Sequence, residues 1–277
     1  SLIGSYFMDR LDFSPQMLHR VADLLSEDNL ENANKVSKQV VPSRNFYAVY
    51  IKRLIDIIVS FLVLVVTSPI NLIIAVITFF DVGRPIIFKQ KRTGKDGKNF
   101  TIIKFRNMRN TTDENGELLP APQRVTKWGK IVRKTSLDEL LNFWSILKGD
   151  MSIIGPRPLL PQYMDRYTER HKGRLLVRPG LECPPHERLD HVWTWEEQFE
   201  NDIWYVENLS FKTDCLMLIR LVQFAFDRKN ATSRAGSKRR GFMGYSADGV
   251  ALGLQEVPED YIKQVNEIIG EKVSEHT

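Results

Sequence analysis

The chain has 277 residues, of which 43% are apolar and 26% are charged, a composition that indicates a folded protein and excludes a disordered or fibrous one. Two cysteines exclude a disulfide framework, and we expect both to be reduced. The net charge is only +5, yet nine basic residues and one acid give the stretch from Arg84 to Arg109 a charge of +8. A second run, Arg228 to Arg240, has six basic residues and no acid. Both runs suit phosphate-bearing partners or a solvated surface.

The N-terminal region combines a helix signal with a polar stretch. Ser14 followed by Pro15 is typical of a helix N-cap, and the apolar spacing that follows predicts an amphipathic helix to about Ser26. The polar residues 27–43 predict a linker or a weak helix. The first residues carry early charges and no apolar run, so we expect no secretory signal there.

The strongest single feature is the segment at residues 54–80, in which 20 of 27 residues are apolar and Asp56 is the only charge. About 20 such residues span a bilayer core. Ser68 and Pro69 lie near its middle, where proline removes an amide donor and predicts a helix break or kink. The Ser68 hydroxyl is placed to satisfy a freed carbonyl. Basic residues flank both ends, which favours a re-entrant hairpin with both ends cytoplasmic over the alternative, a kinked spanning helix.

Beyond this segment, residues 85–90 and 99–105 predict two strands, joined by a glycine-containing turn into a β-hairpin. Residues 136–147 predict a helix, with Ser136 as N-cap and Glu139 completing a capping box. Its apolar face consists of Leu137, Leu140, Leu141, Trp144 and Leu147. Further helices are predicted at residues 159–172, 194–202, 210–228 and 258–273.

Asp138 and Glu139 fall in the first turn of the helix predicted at 136–147, where the backbone amides stabilise negative charge. Adjacent carboxylates at such a place can bind a divalent cation, or one of them can act as a nucleophile. Acids are also common in first turns that have no function, so the pair alone is ambiguous. Three arginines strengthen the functional interpretation: Arg133 just upstream, Arg157 on a rigid Gly-Pro-Arg-Pro turn, and Arg178 beside another turn. Together these residues predict phosphoryl chemistry with a hard cation.

A dense series of motifs runs along residues 50–228. In order they are Lys52-Arg53 with Asp56, Ser68-Pro69, GRPIIFKQKRTGKDGKNFTIIKFRNM, RKTSLDEL, LKGDMSIIGPRPLLPQY, VRPG and WEEQFENDIWYVENLS. This series resembles the bacterial sugar transferase family, the monotopic polyprenyl-phosphate phosphoglycosyl transferases. The resemblance also implies a re-entrant membrane helix that is broken at Ser68-Pro69.

The resemblance implies a two-step reaction with Mg²⁺ as cofactor. The carboxylate of Asp138 attacks the β-phosphate of a UDP-sugar and releases UMP, and the phosphosugar then passes to polyprenyl (undecaprenyl) phosphate. Glu139 assists by positioning the metal or handling a proton, so both acids are expected metal ligands. The resemblance also implies substrate-binding residues, namely Arg106, Arg133, Arg157, Arg178 and Asp202.

The resemblance further sets the expected partners and location. Expected partners are a UDP-sugar, polyprenyl phosphate, membrane lipids and a second copy of the chain, with no nucleic acid. The expected location is the bacterial cytoplasmic membrane, with the catalytic domain on its cytoplasmic face.

The predicted fold is α+β and mainly helical, with a re-entrant membrane helix-break-helix and a small cytoplasmic catalytic domain. That domain contains a β-hairpin and interfacial amphipathic helices. Four regions follow: an N-terminal extension 1–50, the re-entrant helix 51–83, the catalytic domain 84–228, and a basic C-terminal tail with an amphipathic helix, 229–277.

One segment departs from the family pattern. Residues 181–193 stand where the family usually has a segment like TGWAQVNGR, which leaves the identity of the sugar open. Cys183, His186 and His191 suggest a zinc site, but their spacing fits no strong signature. A loop that recognises the sugar or faces lipid is the preferred interpretation.

Two other functions are compatible with the same residues. One is a membrane-anchored lipid-phosphate hydrolase that uses the two carboxylates. The other is a non-enzymatic membrane scaffold whose basic face binds anionic lipid or nucleic acid.

Overall fold

The structure, a computed structural model, describes residues 14–114, 116, 118–119, 121–187, 191, 193–226 and 241–274. The basic run at 228–240 therefore lies outside the described residues. The chain divides into two compact units. The hairpin unit comprises residues 44–161 and 178–181, and the extension unit comprises the described parts of 1–43, 162–177 and 182–277. The predicted catalytic domain contributes residues to both units, and its predicted limits stay a prediction.

The described elements make the protein mainly helical with three two-stranded sheets, which confirms the coarse fold class. The helices are α1 (Pro15–Val36), α2 (Lys52–Val82), α3 (Ala121–Arg124), α4 (Lys127–Thr135), α5 (Asn142–Lys148), α6 (Glu169–Lys172), α7 (Trp195–Glu207), α8 (Phe211–Phe226) and α9 (Glu259–Ser274). The strands are β1 (Ile87–Thr93), β2 (Asn99–Phe105), β3 (Ser152–Ile154), β4 (Gly180–Glu182), β5 (Phe242–Tyr245) and β6 (Ala251–Gly253).

The apolar segment forms the helix α2, which continues through Pro69 without interruption. The Ser68 hydroxyl donates to the Val65 carbonyl at 2.8 Å, the acceptor that Pro69 cannot use, so the role predicted for Ser68 is confirmed. With the π-helical turn Tyr47–Ile51 before it, α2 is long and apolar enough to cross a membrane. The two separate helices predicted around Ser68 and Pro69 are not seen.

Both ends of α2 are anchored to the hairpin unit, whereas its middle is exposed. Near the N-terminus, Arg53 donates to two carbonyls of α5 at 2.6 and 2.8 Å, and Asp56 accepts from an amide of β3 at 3.0 Å. Near the C-terminus, Ile74 packs with Phe105 of β2 and Val132 of α4. The exposed apolar side chains between these anchors include Phe61, Leu62, Val65, Val66, Ile70, Leu72 and Ile73.

The predicted β-hairpin is confirmed. β1 and β2 pair antiparallel from Ile87 opposite Phe105 to Thr93 opposite Asn99, and the glycine-containing turn joins them. Alternation along β2 puts Ile102 and Lys104 on one face, and Ile102 packs there with residues of α5 and β3.

The segment predicted as one helix at 136–147 begins with the 3₁₀ turn Leu137–Glu139 and continues as α5. The prediction that Trp144 is buried is wrong, because it is 50% exposed, while Ser145 and Ile146 are buried. A 3₁₀ turn advances 120° per residue instead of 100°, so three such residues rotate the following face by about 60°.

In the extension unit, the two regions outside the motif series pack against each other. Ser14 caps α1 as predicted, accepting from the Met17 amide at 3.2 Å, but α1 continues beyond Ser26 to Val36. The helix continues past Ser26 because Asn29 and Ala33 are buried and extend the packed face of α1. The shared core of α1, the β5–β6 hairpin and α9 contains Met17, Val21, Ala22, Leu25, Met243, Leu254, Val257 and Val265.

This core continues into α7. Phe242 of β5 lies 5.0 Å from Phe199 of α7 between ring centroids, and the Tyr245 hydroxyl lies 2.7 Å from Nδ1 of His171. The C-terminal strands are therefore part of the same fold as α7. Cys183 and Cys215 are both free thiols, as predicted.

Candidate active site

Asp138 is presented by an irregular turn between α4 and α5. Thr126 caps α4 by accepting from the Gly129 amide, and Ser136 ends α4 in a left-handed conformation with φ 55°. The predicted N-cap and capping box at Ser136 and Glu139 are wrong: Ser136 makes no side-chain cap bond, and its left-handed backbone serves as the C-cap of α4. A left-handed serine costs about 1–2 kcal/mol, which is the kind of strain often found at functional sites.

The Asp138 side chain is only 4% exposed and accepts a hydrogen bond from Nδ2 of Asn107 at 3.0 Å. Burial raises the pKa of Asp138, and the charge of Glu139 raises it further, while Lys104 and Arg133 act in the opposite direction. The net pKa is above the ordinary value. A buried carboxylate with a perturbed pKa, next to a second acid, is a candidate nucleophile.

Lys104, which was not predicted from the sequence, belongs to this site. Burial lowers the pKa of its ammonium group, and the charges of Asp138 and Glu139 oppose that shift. Its Nζ lies 5.7 Å from the ring centroid of Phe88. The available signal was strand alternation, because Lys104 shares a face of β2 with the buried Ile102 and is therefore a lysine on an inward-facing position.

Glu139 pairs with Arg157 at 3.1 Å, a contact that was not predicted from the sequence. Arg157 is held by a close approach of two backbone segments: a Cβ on Gly180 would lie 2.1 Å from the Gly155 nitrogen, so only glycine fits there. The Arg157 side chain is 44% exposed and can reach a substrate as well as Glu139. Arg133, in the last turn of α4, is exposed and acts on Asp138 through its charge.

Two of the predicted substrate-binding arginines, Arg106 and Arg178, contact helix ends. The guanidinium of Arg106 donates to the carbonyls of Val82, Gly83 and Arg84 at the end of α2. Nε of Arg178 donates to the carbonyl of Gly149, just after α5, at 2.9 Å. Cations at these positions stabilise the negative ends of helices. A role for either arginine in substrate binding stays a prediction.

Asp202 lies in the extension unit, on α7. It is 1% exposed and pairs with the equally buried Arg174 at 2.7 Å. Its predicted role in substrate binding stays a prediction, and the ion pair gives it a structural role as well.

The divergent segment 181–193 is tied to α7. Asn201 accepts from the amide of His186 at 3.0 Å and donates to the carbonyl of Pro184 at 3.2 Å, and His186 stacks on Trp204 with ring centroids 4.0 Å apart. Nδ1 of His186 contacts Asn201, and Nε2 of His191 contacts Glu197, so the structure gives no support to a zinc site here.

The carboxylate pair fits a divalent cation. Asn107 contacts one oxygen of Asp138, and Arg157 contacts one oxygen of Glu139. The charge of Glu139 adds to burial in raising the pKa of Asp138, and a bound cation would relieve this repulsion between the two carboxylates. A second group of possible ligands within the described residues, His171, Glu196 and Glu200, lies in the extension unit with ligand atoms within 4.8 Å of one another. Its members already bond to Tyr245, Arg170 and the Ala251 amide, which indicates a structural network.

These features define a protein with one helix that is long and apolar enough to cross a membrane and with two carboxylates set among cations, an arrangement suited to phosphoryl transfer. Residues 47–228 match the family described as bacterial sugar transferase, and the chain belongs to that family. The predicted family and the predicted transferase class are thereby confirmed.

Named relatives share this core. An uncharacterized sugar transferase, EpsL, of Bacillus subtilis (strain 168) is 42% identical over 173 residues, which is 62% of this chain and 86% of the relative. The UDP-glucose:undecaprenyl-phosphate glucose-1-phosphate transferase of Klebsiella pneumoniae is 38% identical over 192 residues, 65% of this chain and 41% of the relative. A UDP-N-acetylgalactosamine-undecaprenyl-phosphate N-acetylgalactosaminephosphotransferase of Aeromonas hydrophila is 32% identical over 184 residues, which is 63% of this chain and 43% of the relative. The chain thus spans less than half the length of the last two.

Proposed function

We propose that the protein transfers a sugar 1-phosphate from a UDP-sugar to polyprenyl phosphate, through a phosphosugar intermediate on Asp138. Oxygen of Asp138 forms a bond to the β-phosphorus while the bond from that phosphorus to the bridging oxygen breaks, and UMP leaves with the electron pair. The phosphate of the lipid then displaces Asp138 and restores its carboxylate. The observation that carries the proposal is the buried Asp138 beside Lys104, Glu139 and Arg157, on a unit anchored to both ends of α2. The names of the relatives support the substrate classes.

The cations around Asp138 have separate tasks in this proposal. Lys104 supplies a partly desolvated charge that offsets the negative charge of the transferred phosphoryl group. Arg157 binds phosphate oxygens in addition to Glu139, because its guanidinium can form two parallel bonds. Arg133 adds an exposed charge that attracts the nucleotide.

Asp138 and Glu139 are the residues that would hold Mg²⁺. Bound there, Mg²⁺ supplies charge neutralisation for the diphosphate of the donor. Titration of Mg²⁺ against wild type, Glu139→Gln and an EDTA-treated sample tests this assignment through both UMP release and the thermal unfolding temperature. A wild-type protein that is fully active after EDTA treatment would exclude it.

We further propose a re-entrant arrangement of α2 with both ends on the cytoplasmic side of the cytoplasmic membrane. A straight α2 would separate Arg53 and Ile74 by about 32 Å, roughly the thickness of a bilayer core. Both residues nevertheless contact the hairpin unit. Because a folded, water-soluble unit lies on one side of a membrane, these anchors favour a bend at Pro69.

Cysteine labelling in intact cells tests the topology. Tyr50, which is 64% exposed, and the exposed Lys89 flank α2 and are suitable positions for single cysteines in a variant lacking Cys183 and Cys215. An impermeant reagent should label neither position until the cells are opened. Labelling of one position alone in intact cells would show a spanning helix.

A groove beside the end of α2 is the proposed site of the lipid phosphate. It has a volume of about 460 Å³ and combines apolar lining with two cations. Its lining residues are Pro85, Ile87, Phe88, Lys89, Arg106 and Asn110. Nζ of Lys104 lies 5.7 Å from the ring centroid of Phe88, which lines the groove, and the charge of Asp138 acts on Lys104, which supports a lipid site on the same side as the carboxylate.

The reaction itself is tested by incubating purified protein with undecaprenyl phosphate and a panel of UDP-glucose, UDP-galactose and UDP-N-acetylgalactosamine. Release of UMP together with lipid-linked sugar supports transfer, and free sugar phosphate without acceptor indicates the hydrolase. Asp138→Asn should abolish both products, and the exposed Asp165→Asn is the matched control. Unchanged lipid glycosylation in Asp138→Asn would refute the proposal and favour the scaffold.

A further inference from the structure

A hydrogen bond from the side chain of Asn107 orients the Asp138 carboxylate. Nδ2 of Asn107 donates to Oδ2 of Asp138 at 3.0 Å, and both side chains are 4% exposed. At this burial, water does not readily replace a lost donor, so the bond is a strong orienting constraint.

The backbone of Asn107 is fixed independently of its side chain. Asn107 lies two residues after Phe105, the buried end of β2, and its backbone carbonyl packs against Gly129 of α4. A Cβ on Gly129 would lie only 2.1 Å from the Asn107 carbonyl oxygen, so α4 can approach this closely only with glycine there. The Asn107 side chain therefore points at Asp138 from a backbone that β2 and α4 hold in place.

We infer that Asn107 is a positioning residue that binds Oδ2 of Asp138 and leaves Oδ1 as the oxygen that attacks the β-phosphorus. This inference rests on the proposed function. In the attack, the Oδ1–phosphorus bond forms, the bond from phosphorus to the bridging oxygen breaks, and UMP takes the electron pair. Oδ2 becomes the carbonyl oxygen of the resulting acyl phosphate and can keep the hydrogen bond from Asn107. The same contact therefore orients the carboxylate before the first step and the intermediate before the second.

A purely structural role for Asn107 makes a different prediction, and the chain offers a matched control. Asn142 of α5 is 5% exposed, and its Oδ1 has no hydrogen-bond partner among the described residues. Asn142→Leu changes a buried asparagine of the same hairpin unit without removing a bond to Asp138. It therefore reports what the loss of a buried amide costs the fold alone.

The test is the single-turnover labelling of the full-length protein in detergent with UDP-sugars carrying ³²P in the β-phosphate, without lipid acceptor. The sugars are UDP-glucose, UDP-galactose and UDP-N-acetylgalactosamine, and the one that labels wild type is carried forward. For Asn107→Leu we expect a maximal labelling rate lower by about 10–100-fold, with the half-saturating UDP-sugar concentration unchanged. Asn107→Ser keeps a hydroxyl donor and should recover part of the rate. Asn142→Leu should label at the wild-type rate.

The outcomes separate the inference from the function on which it rests. Wild-type labelling by Asn107→Leu overturns the inference, and so does an equal loss of rate in Asn142→Leu at equal unfolding temperature. If Asn107→Leu does not fold, a reduced labelling rate in folded Asn107→Ser at an unchanged half-saturating UDP-sugar concentration supports donation by the Asn107 side chain, and labelling at the wild-type rate overturns the inference. Labelling that persists in Asp138→Asn refutes the proposed function itself.

Discussion

The buried pair of Arg174 and Asp202 provides the sharpest stability prediction. Oδ2 of Asp202 accepts from Nε and Nη2 of Arg174 at 2.9 and 2.7 Å, and both side chains are 1% exposed. Burial alone would lower the pKa of Arg174, but Asp202 reverses the shift, so the pKa lies above its ordinary value. Asp202→Ala leaves the guanidinium buried without this carboxylate. Breaking such a pair costs about 3–5 kcal/mol, which corresponds to a fall in Tm of about 6–20 °C for a chain of this size.

Thermal unfolding in detergent, followed by circular dichroism, measures this loss. The double variant Arg174→Met with Asp202→Leu should recover most of the stability, because an apolar pair of similar volume avoids the desolvation cost. Activity is measured per amount of folded protein. An Asp202→Ala variant that unfolds at the wild-type temperature but no longer glycosylates lipid would refute the structural argument and support the predicted role of Asp202 in substrate binding.

Three further predictions follow from charge and packing. Burial would raise the pKa of Glu200, but hydrogen bonds from His171 and Arg170 lower it to about 2, so its stabilising contribution is complete above pH 4.5 and is lost as the pH falls toward 2. In metal-free protein, Asp138→Asn should raise Tm at pH 7, because the raised pKa of Asp138 means that ionising this carboxyl group destabilises the fold. The rise in Tm should vanish below pH 3.8, where Asp138 is protonated in both the folded and the unfolded chain. Leu25→Ala should cost about 2–5 kcal/mol and speed amide exchange in β5, since Leu25 is fully buried in the core shared with β5.

Each of these predictions has its own control. Glu200→Gln should flatten the acid limb of stability between pH 4.5 and 2, and a slope equal to that of wild type would count against the ion pair. Asp165→Asn changes an exposed aspartate and should leave Tm unchanged. An equal rise in Tm in Asp165→Asn would show that the rise in Asp138→Asn does not come from the burial of Asp138. The control for Leu25→Ala is Val36→Ala, because Val36 is exposed. This substitution should leave the rate of amide exchange in β5 unchanged.

Several features were predictable because their signals are local. The apolar run of α2, the alternation and turn of the β1–β2 hairpin, and the cap at Ser14 each depend on neighbouring residues alone. Adjacency in the sequence also made Asp138 and Glu139 visible as a pair. The rigid Gly-Pro-Arg-Pro turn likewise made Arg157 visible as a candidate site residue.

Other features depended on contacts that no local pattern contains. The left-handed Ser136 gave no signal, since a serine before two acids more often caps a helix than ends one. Helix α4 was missed because its glycine weakens the helical pattern, and that glycine is needed only for the approach to Asn107. The two extensions gave no sign of sharing a core, because their residues are more than 200 positions apart in the chain.

The sequence by itself determined the membrane segment, the family and the identity of the candidate nucleophile, since each is encoded in contiguous residues whose chemistry is readable in order. Only the tertiary structure decided which groups surround that nucleophile: Lys104 of β2 acts on Asp138 through its charge, and Asn107, two residues after β2, donates to it, although both lie more than 30 residues earlier in the chain. It also gave Arg106 and Arg178 contacts with helix ends and Asp202 a buried cation. The physical reason is that an arginine, lysine or aspartate has the same sequence signal whether it meets a substrate, a helix end or a buried counter-charge, and only packing selects among these partners.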